Sequence, residues 1–194
     1  MHKSGFVNII GNPNVGKSTL LNALLGEKMS IITNKPQTTR HRILGIKSEE
    51  DYQIVFSDTP GIIATPAYAM QKSMNKFVHS TFEDADLMLL VTDTIENYED
   101  EHPLLEKLKD LNIPVFLLIN KTDLVKPVAV LKLIQEWQLK LPKLTETIPI
   151  AALHKTNVDK LLELIIKYLP EGPVYYPKDP VSYTHLTLPT TPYV

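Results

Sequence analysis

FVNIIGNPNVGKSTLLNALLG, Phe6 to Gly26, is the stretch on which the reading of the fold turns. Phe6 to Ile10 is a largely apolar run of strand length, and Leu20, Leu21, Leu24 and Leu25 recur at the spacing of a helix buried on one face. Between them GNPNVGKS, Gly11 to Ser18, fits the pattern G-x-x-x-x-G-K-[ST]. Strand, glycine loop and helix stand in the order that gives this pattern mechanical meaning. Gly11 and Gly16 let the backbone turn around an anion without Cβ clashes. The amides from Asn14 to Thr19 are expected to point inward, and the positive end of the helix faces the phosphates. Lys17 should then reach β- and γ-phosphate oxygens, and the Ser18 hydroxyl should bind Mg²⁺. Asn12, Pro13 and Val15 complete the loop. A glycine turn that merely links strand to helix would explain an isolated match, but not one with both flanking elements in place.

Outward from this stretch, short apolar runs alternate with helical periodicity, the pattern of a parallel sheet flanked by helices. Strands are expected at Arg42 to Lys47, Tyr52 to Ser57, Leu87 to Thr92, Val115 to Ile119 and Thr147 to Ile150. The turn Ser48 to Asp51 is too short for a crossover, so its two strands form an antiparallel hairpin at a sheet edge. Helical stripes are Leu104, Leu108 and Leu111 after Pro103; Val130, Ile134, Trp137 and Leu141; and Val158, Leu161, Leu162, Ile165 and Leu169. Thr156 and Asp159 resemble a capping box for the last. The expected fold is α/β, a P-loop NTPase with a six-stranded, mostly parallel sheet, one antiparallel edge strand and about five helices on both faces. Residues 1–170 form the domain. Residues 171–194, crowded with Pro173, Pro177, Pro180, Pro189 and Pro192, are expected to be linker and disordered or non-native tail.

Mg²⁺ needs a carboxylate as well. Asp58-Thr59-Pro60-Gly61 ends a strand at the edge where open α/β sheets bind ligands. Asp58 can hold a metal-bound water and the Gly61 amide can reach toward a γ-phosphate. The polar segment Gln37-Thr38-Thr39-Arg40-His41 lies between the first helix and the edge hairpin, where a loop can close over a nucleotide. A threonine hydroxyl there can complete the metal shell, and of Thr38 and Thr39 the choice falls on Thr39. Asn120-Lys121-Thr122-Asp123 follows a buried strand. The Asp123 carboxylate can accept from the ring N–H and amino group of guanine, which adenine cannot supply. Asn120 would brace the loop or touch the base, and the Lys121 stem would cover one face. Ala151-Ala152-Leu153 offers a backbone amide to the guanine carbonyl, or simply packs.

The chain of 194 residues carries a net charge of −2, with 43% hydrophobic and 22% charged residues. That balance gives no global attraction to nucleic acid or anionic membrane. With no cysteine, disulfides, thiolate catalysis and Cys-ligated zinc are excluded. The amino-terminal segment has no signal-peptide run, and a cytosolic protein is expected. A metabolic kinase would leave N-K-T-D unexplained, and a pure RNA-binding module lacks its motif.

GNPNVGKS, DTPG and NKTD, in this order, resemble the translation-factor-related P-loop GTPases. Gln37 to Ile46, QTTRHRILGI, and Leu169 to Asp179, LPEGPVYYPKD, are similar to the bacterial Era family. The resemblance implies a switch that hydrolyses GTP to GDP and phosphate, with Lys17, Thr39 and Gly61 as the catalytic positions and Mg²⁺ held by Ser18, Thr39 and Asp58. It implies a KH-type RNA-binding domain after the linker, binding of 16S rRNA, and a role in assembly of the small ribosomal subunit. It also implies a monomer in the cytoplasm, either free or peripheral at the inner membrane face. The sequence after Pro180 does not continue the family pattern, so the KH domain is expected to be missing. Two departures stand out: Ala151 replaces the usual serine, and Ile62 stands where Ras-like proteins place a water-orienting glutamine. Turnover is therefore expected to be slow, or to use K⁺ held partly by Asn14, unless Asn14 serves only the loop backbone. The alternative is a nucleotide-sensing domain with negligible turnover.

Overall fold

The computed structural model describes residues 2–26, 42–58, 85–96 and 102–177. Six strands form one sheet: β1 (Lys3–Ile10), β2 (Arg42–Ser48), β3 (Tyr52–Asp58), β4 (Leu87–Asp93), β5 (Val115–Asn120) and β6 (Glu146–Pro149). Their order is β2-β3-β1-β4-β5-β6. Only the β2–β3 hairpin at the edge is antiparallel; the other pairs are parallel. Four α-helices lie among the described residues: α1 (Lys17–Leu25), α2 (Pro103–Lys109), α3 (Pro127–Lys140) and α4 (Val158–Tyr168). Short 3₁₀ turns occupy Thr122–Leu124 and Ala152–His154.

The period-two alternation of the central strands sorts their side chains onto two faces. Leu87, Leu89, Val91, Phe116 and Leu118 face one way, where α1 supplies Leu20, Leu24 and Leu25 and α4 supplies Val158, Leu161 and Ile165. Met88, Leu90, Leu117 and Ile119 face the other, against Leu104, Leu105 and Leu108 of α2 and Trp137 of α3. Full burial of such side chains stabilises by roughly 1.5–3 kcal/mol each, so both helical layers are fixed by the sheet. Parallel strands buried on both faces account for the continuous apolar runs in the sequence. Helix ends follow local rules too. Gly26 closes α1 at φ 64 with its N–H on the Asn22 carbonyl, and His102 caps α2, its Nδ1 accepting from the Leu104 amide at 3.2 Å.

Two local expectations fail for tertiary reasons. Thr156 does not cap α4, because its backbone closes a bridge with Ala151; Asn157, left-handed at φ 60, precedes the helix instead and donates its Nδ2 to the Pro149 carbonyl at 2.8 Å. The first strand begins at Lys3 rather than Phe6. Its three extra residues pair with Tyr52, Gln53 and Ile54, and Lys3 Nζ reaches the last carbonyls of α4, Ile166 at 2.9 Å and Lys167 at 2.7 Å.

Within the segment expected as linker, residues 171–176 contact the domain. Glu171 bridges Lys3, and the buried Ser4 hydroxyl donates to the Pro173 carbonyl at 2.7 Å. Gln53, fully buried in β3, uses its entire carboxamide. Oε1 accepts from the Tyr175 and Tyr176 amides at 2.8 and 2.9 Å, and Nε2 donates to Tyr176 O at 2.7 Å and Ser48 Oγ at 2.9 Å. The Tyr175 ring packs on Phe6 at 5.0 Å between centroids. Residues 178–194 lie outside the described residues. Gln53→Leu would strand three backbone groups of this strap. It should cost about 2–4 kcal/mol, read as a lower urea midpoint at unchanged slope; an unaltered midpoint would show that the strap adds nothing.

Candidate functional site

Because β1, β4, β5 and β6 run parallel, the segments after Ile10, Asp93, Asn120 and Pro149 leave the sheet at one end, the ligand edge of an open α/β sheet. Asp58 ends β3 at the same edge, in register with Ile9. The loops expected from the sequence to carry phosphate, metal and base chemistry therefore start from the same edge of the sheet.

In the phosphate-loop segment, Gly11 has φ 148 and a Cβ there would stand 2.2 Å from the Val91 carbonyl oxygen. Asn14 is left-handed at φ 67, Val15 is buried beneath the loop, and Asn14, Ser18 and Thr19 are exposed. Gly16 precedes α1 at φ 97 with no side chain capping the helix, and the first turn holds no acidic residue. Among the described residues no side-chain cap and no first-turn carboxylate competes for its first amides, as an anion site requires. Lys17 folds back over the loop, donating Nζ to the Gly11 and Asn12 carbonyls, each at 2.7 Å.

Asn120 joins three loops. From the end of β5 its Nδ2 donates to the Val15 carbonyl at 2.8 Å, and its Oδ1 accepts from the Ala152 amide at 3.0 Å. Of the two roles open to it from sequence, the structure shows bracing. The fit also explains Gly16, whose Cβ would meet Asn120 Nδ2 at 2.2 Å. Thr122 adds a second tie, its hydroxyl donating to the Ile150 carbonyl at 2.9 Å. Asp123 lies in the following 3₁₀ turn with its carboxylate partly exposed, Oδ2 standing 3.5 Å from His154 Nε2. Ala151 and Ala152 are buried and Leu153 is exposed. The Ala151 amide bonds the Thr156 carbonyl and the Ala152 amide bonds Asn120.

Asp93, at the end of β4, was not singled out from the sequence. It is 8% exposed, and its Oδ2 pairs with Lys121 Nζ at 2.8 Å while Oδ1 accepts from the Ile95 and Glu96 amides at 3.0 and 2.9 Å. Burial opposes its charge, but hydrogen bonds from Lys121, Ile95 and Glu96, with the Lys121 charge, outweigh it and hold the carboxyl below its ordinary 3.8. Its stabilising contribution is therefore complete above that ordinary value and is lost as pH falls through the lowered one. The available signal was its position: like Asp58, it is an acid ending a buried strand at the ligand edge.

Gln37, Thr38, Thr39, Arg40 and His41, and Thr59, Pro60, Gly61 and Ile62, lie outside the described residues, as does the Asp58 side chain. Among the described residues no group of three His, Cys, Asp or Glu side chains could hold a metal. A cation here would rely on a ligand's own oxygens together with the exposed Ser18 hydroxyl and the Asp58 carboxylate. Those hard oxygen donors fit Mg²⁺, which keeps substrate phosphates in its shell. No helix among the described residues is long and apolar enough to cross a membrane.

Comparison with known proteins gives this rim its context. Residues 6–121 match the model of a family described as 50S ribosome-binding GTPase. The chain is 47% identical over 184 residues to the chloroplastic GTPase ERA1 of Zea mays, covering 93% of this chain and 44% of that protein. It is 46% identical over 183 residues to the GTPase Era of Clostridium kluyveri, covering 94% and 62%. A crystal structure of Era in complex with MgGDPNP and nucleotides 1506–1542 of 16S ribosomal RNA is similar at a TM-score of 0.73 and 44% identity, over 92% of this chain and 61% of that one. The chain thus spans between 44% and 62% of the length of these relatives. Since the family model accounts for residues 6–121 of 194, more than half of the sequence, the chain belongs to this family of GTPases, with Era proteins among its relatives.

Proposed function

We propose that this chain binds GTP and GDP with Mg²⁺ and hydrolyses GTP slowly, as the nucleotide switch of an Era-type protein. The observation that carries the reading is Asn120, whose side chain makes the phosphate loop and the N-K-T-D loop one rigid rim. In this reading Gly11 to Thr19 wrap the phosphates. Lys17 exchanges the Gly11 and Asn12 carbonyls for β- and γ-phosphate oxygens, a stronger, charge-assisted pairing. Ser18, Asp58 and Thr39 hold Mg²⁺, which neutralises charge on the β- and γ-phosphates when bound. Thr59, Pro60, Gly61 and Ile62 lie along the γ-phosphate, Gly61 offering its amide. Gln37 to His41 close over the nucleotide.

Guanine sits between the Lys121 stem and the Ala151-Ala152-Leu153 turn and donates two hydrogen bonds to Asp123. With the Ala151 and Ala152 amides committed elsewhere, the backbone of Leu153 is the group of that turn left to meet the guanine carbonyl. The reaction is attack of water on the γ-phosphoryl group, driven by positioning and charge neutralisation. Ile62 cannot orient that water, which motivates slow turnover and a K⁺ ion at Asn14; equal rates in KCl and NaCl would remove the ion. Negligible turnover, a sensing role, is the second reading and rests on the same isoleucine.

Of the wider partners, the 16S rRNA bound by the Era relative and assembly of the small subunit are the ones we assign, although the family description names the 50S particle. They would act through sequence of KH type beyond this domain, in a monomeric protein in the cytoplasm, free or at the inner membrane face.

Competition of GTP, GDP and ATP for the Mg²⁺-loaded protein should favour both guanine nucleotides strongly; equal ATP binding would sink the guanine assignment. Lys17→Ala should lower nucleotide affinity by roughly a hundredfold or more, about 3 kcal/mol for lost charge-assisted bonds. Asp123→Asn should weaken GTP and favour xanthosine nucleotides, since the amide can donate where the carboxylate only accepts. Asn120→Ala should weaken GDP and also lower the unfolding free energy by about 2–3 kcal/mol, because it leaves the Val15 carbonyl and the Ala152 amide without these partners.

A further inference from the structure

We propose that Asp93 is a positioning residue for guanine-nucleotide binding, acting by holding Lys121 in place before the nucleotide arrives. The proposal rests on the reading above that Lys121 lies along the base. Lys121 itself has a left-handed backbone at φ 61, so its side chain leaves the end of β5 in a set direction. Its ammonium ends on Asp93 Oδ2 at 2.8 Å. The two partners are unequally buried, 34% side-chain exposure for Lys121 against 11% for Asp93. The anchor is therefore inside the protein, and the lysine stem is the part left for a ligand to meet.

Asp93 is itself immobilised. Its second oxygen takes the Ile95 and Glu96 amides, and the Thr92 hydroxyl bonds Glu96 Oε2 at 2.9 Å, closing the turn after β4. A free lysine loses rotamer entropy when a ligand orders it. Here that ordering precedes binding, so a flat purine face meets a stem already extended and the association cost falls. Through this pair the turn after β4 becomes a fourth member of the rim that Asn120 builds from the loops after β1, β5 and β6.

A purely structural role would be the cap on Ile95 and Glu96, and the two roles separate chemically. In Asp93→Asn the side-chain carbonyl still accepts from both amides, but the charge that holds Lys121 is gone. The test is a double-mutant cycle on GDP dissociation, using D93N, K121M and the double variant, each checked by its unfolding midpoint. D93N alone should weaken GDP about tenfold, or ~1.4 kcal/mol. On the K121M background the same change should alter affinity by less than about twofold, since its partner is already absent. Should D93N fold poorly, Asp93→Ser keeps a capping oxygen, removes the charge and enters the same cycle. Wild-type affinity in D93N, or an equal loss with and without Lys121, would overturn the role of Asp93. A wild-type protein that bound no guanine nucleotide would instead refute the parent reading, and this one with it.

Discussion

The carboxamide of Asn120 makes two hydrogen bonds in a buried junction, one to the Val15 carbonyl and one from the Ala152 amide. β1 and β5 are not neighbours, since β4 lies between them, and strands are spaced about 4.8 Å apart. The side chain therefore reaches past one strand to grip the loop of another. That reach requires the loop to approach closely, and the approach leaves no space for a Cβ at Gly16. Gly16 of the phosphate loop and Asn120 of the N-K-T-D segment are thus one constraint seen from two places. A buried amide that lost either partner would forfeit its desolvation as well as its bond, so the geometry of the whole rim depends on this contact.

Around that junction the ends of the sheet have separate tasks. At the ends of the parallel strands, backbone amides, exposed hydroxyls and two cationic side chains gather. At their starts, Lys3, Ser4 and Gln53 hold α4 and the strap from Glu171 to Tyr176. The register of β1 with β3, Ser4 to Gln53 and Ile9 to Asp58, connects them through continuous hydrogen-bonded backbone. The rigid part of the molecule is thus the sheet, with loops projecting from one end and the chain's exit fastened at the other.

Charge is handled locally throughout. Lys17 donates to loop carbonyls and Lys121 pairs with the Asp93 carboxylate, each within 2.8 Å. Both cations are held by groups at the rim. An overall charge of −2 conveys nothing of this, because the relevant charges act over a few ångströms and cancel in the sum.

The sequence by itself determined whatever depends on local repetition and local sterics. Continuous apolar runs in β4 and β5 marked strands buried on both faces, the short turn Ser48 to Asp51 marked an antiparallel edge, and G-x-x-x-x-G-K-S between strand and helix marked the phosphate loop. It also marked Asn120 and Asp123 as members of one site, and left open whether Asn120 braced a loop or touched a base. Only the tertiary structure showed the bracing bonds, because one of them joins residues 105 positions apart. Asp93 became visible as the partner of Lys121 only once β4 and β5 were aligned, and Gln53 became a clip only once residues 122 and 123 positions away returned to it. Thr156 failed as a cap because a bridge to Ala151 had claimed its backbone. Periodicity and turn chemistry act between neighbours in the chain and can be read along it; the partners of a buried polar side chain are set by folding, and they were not.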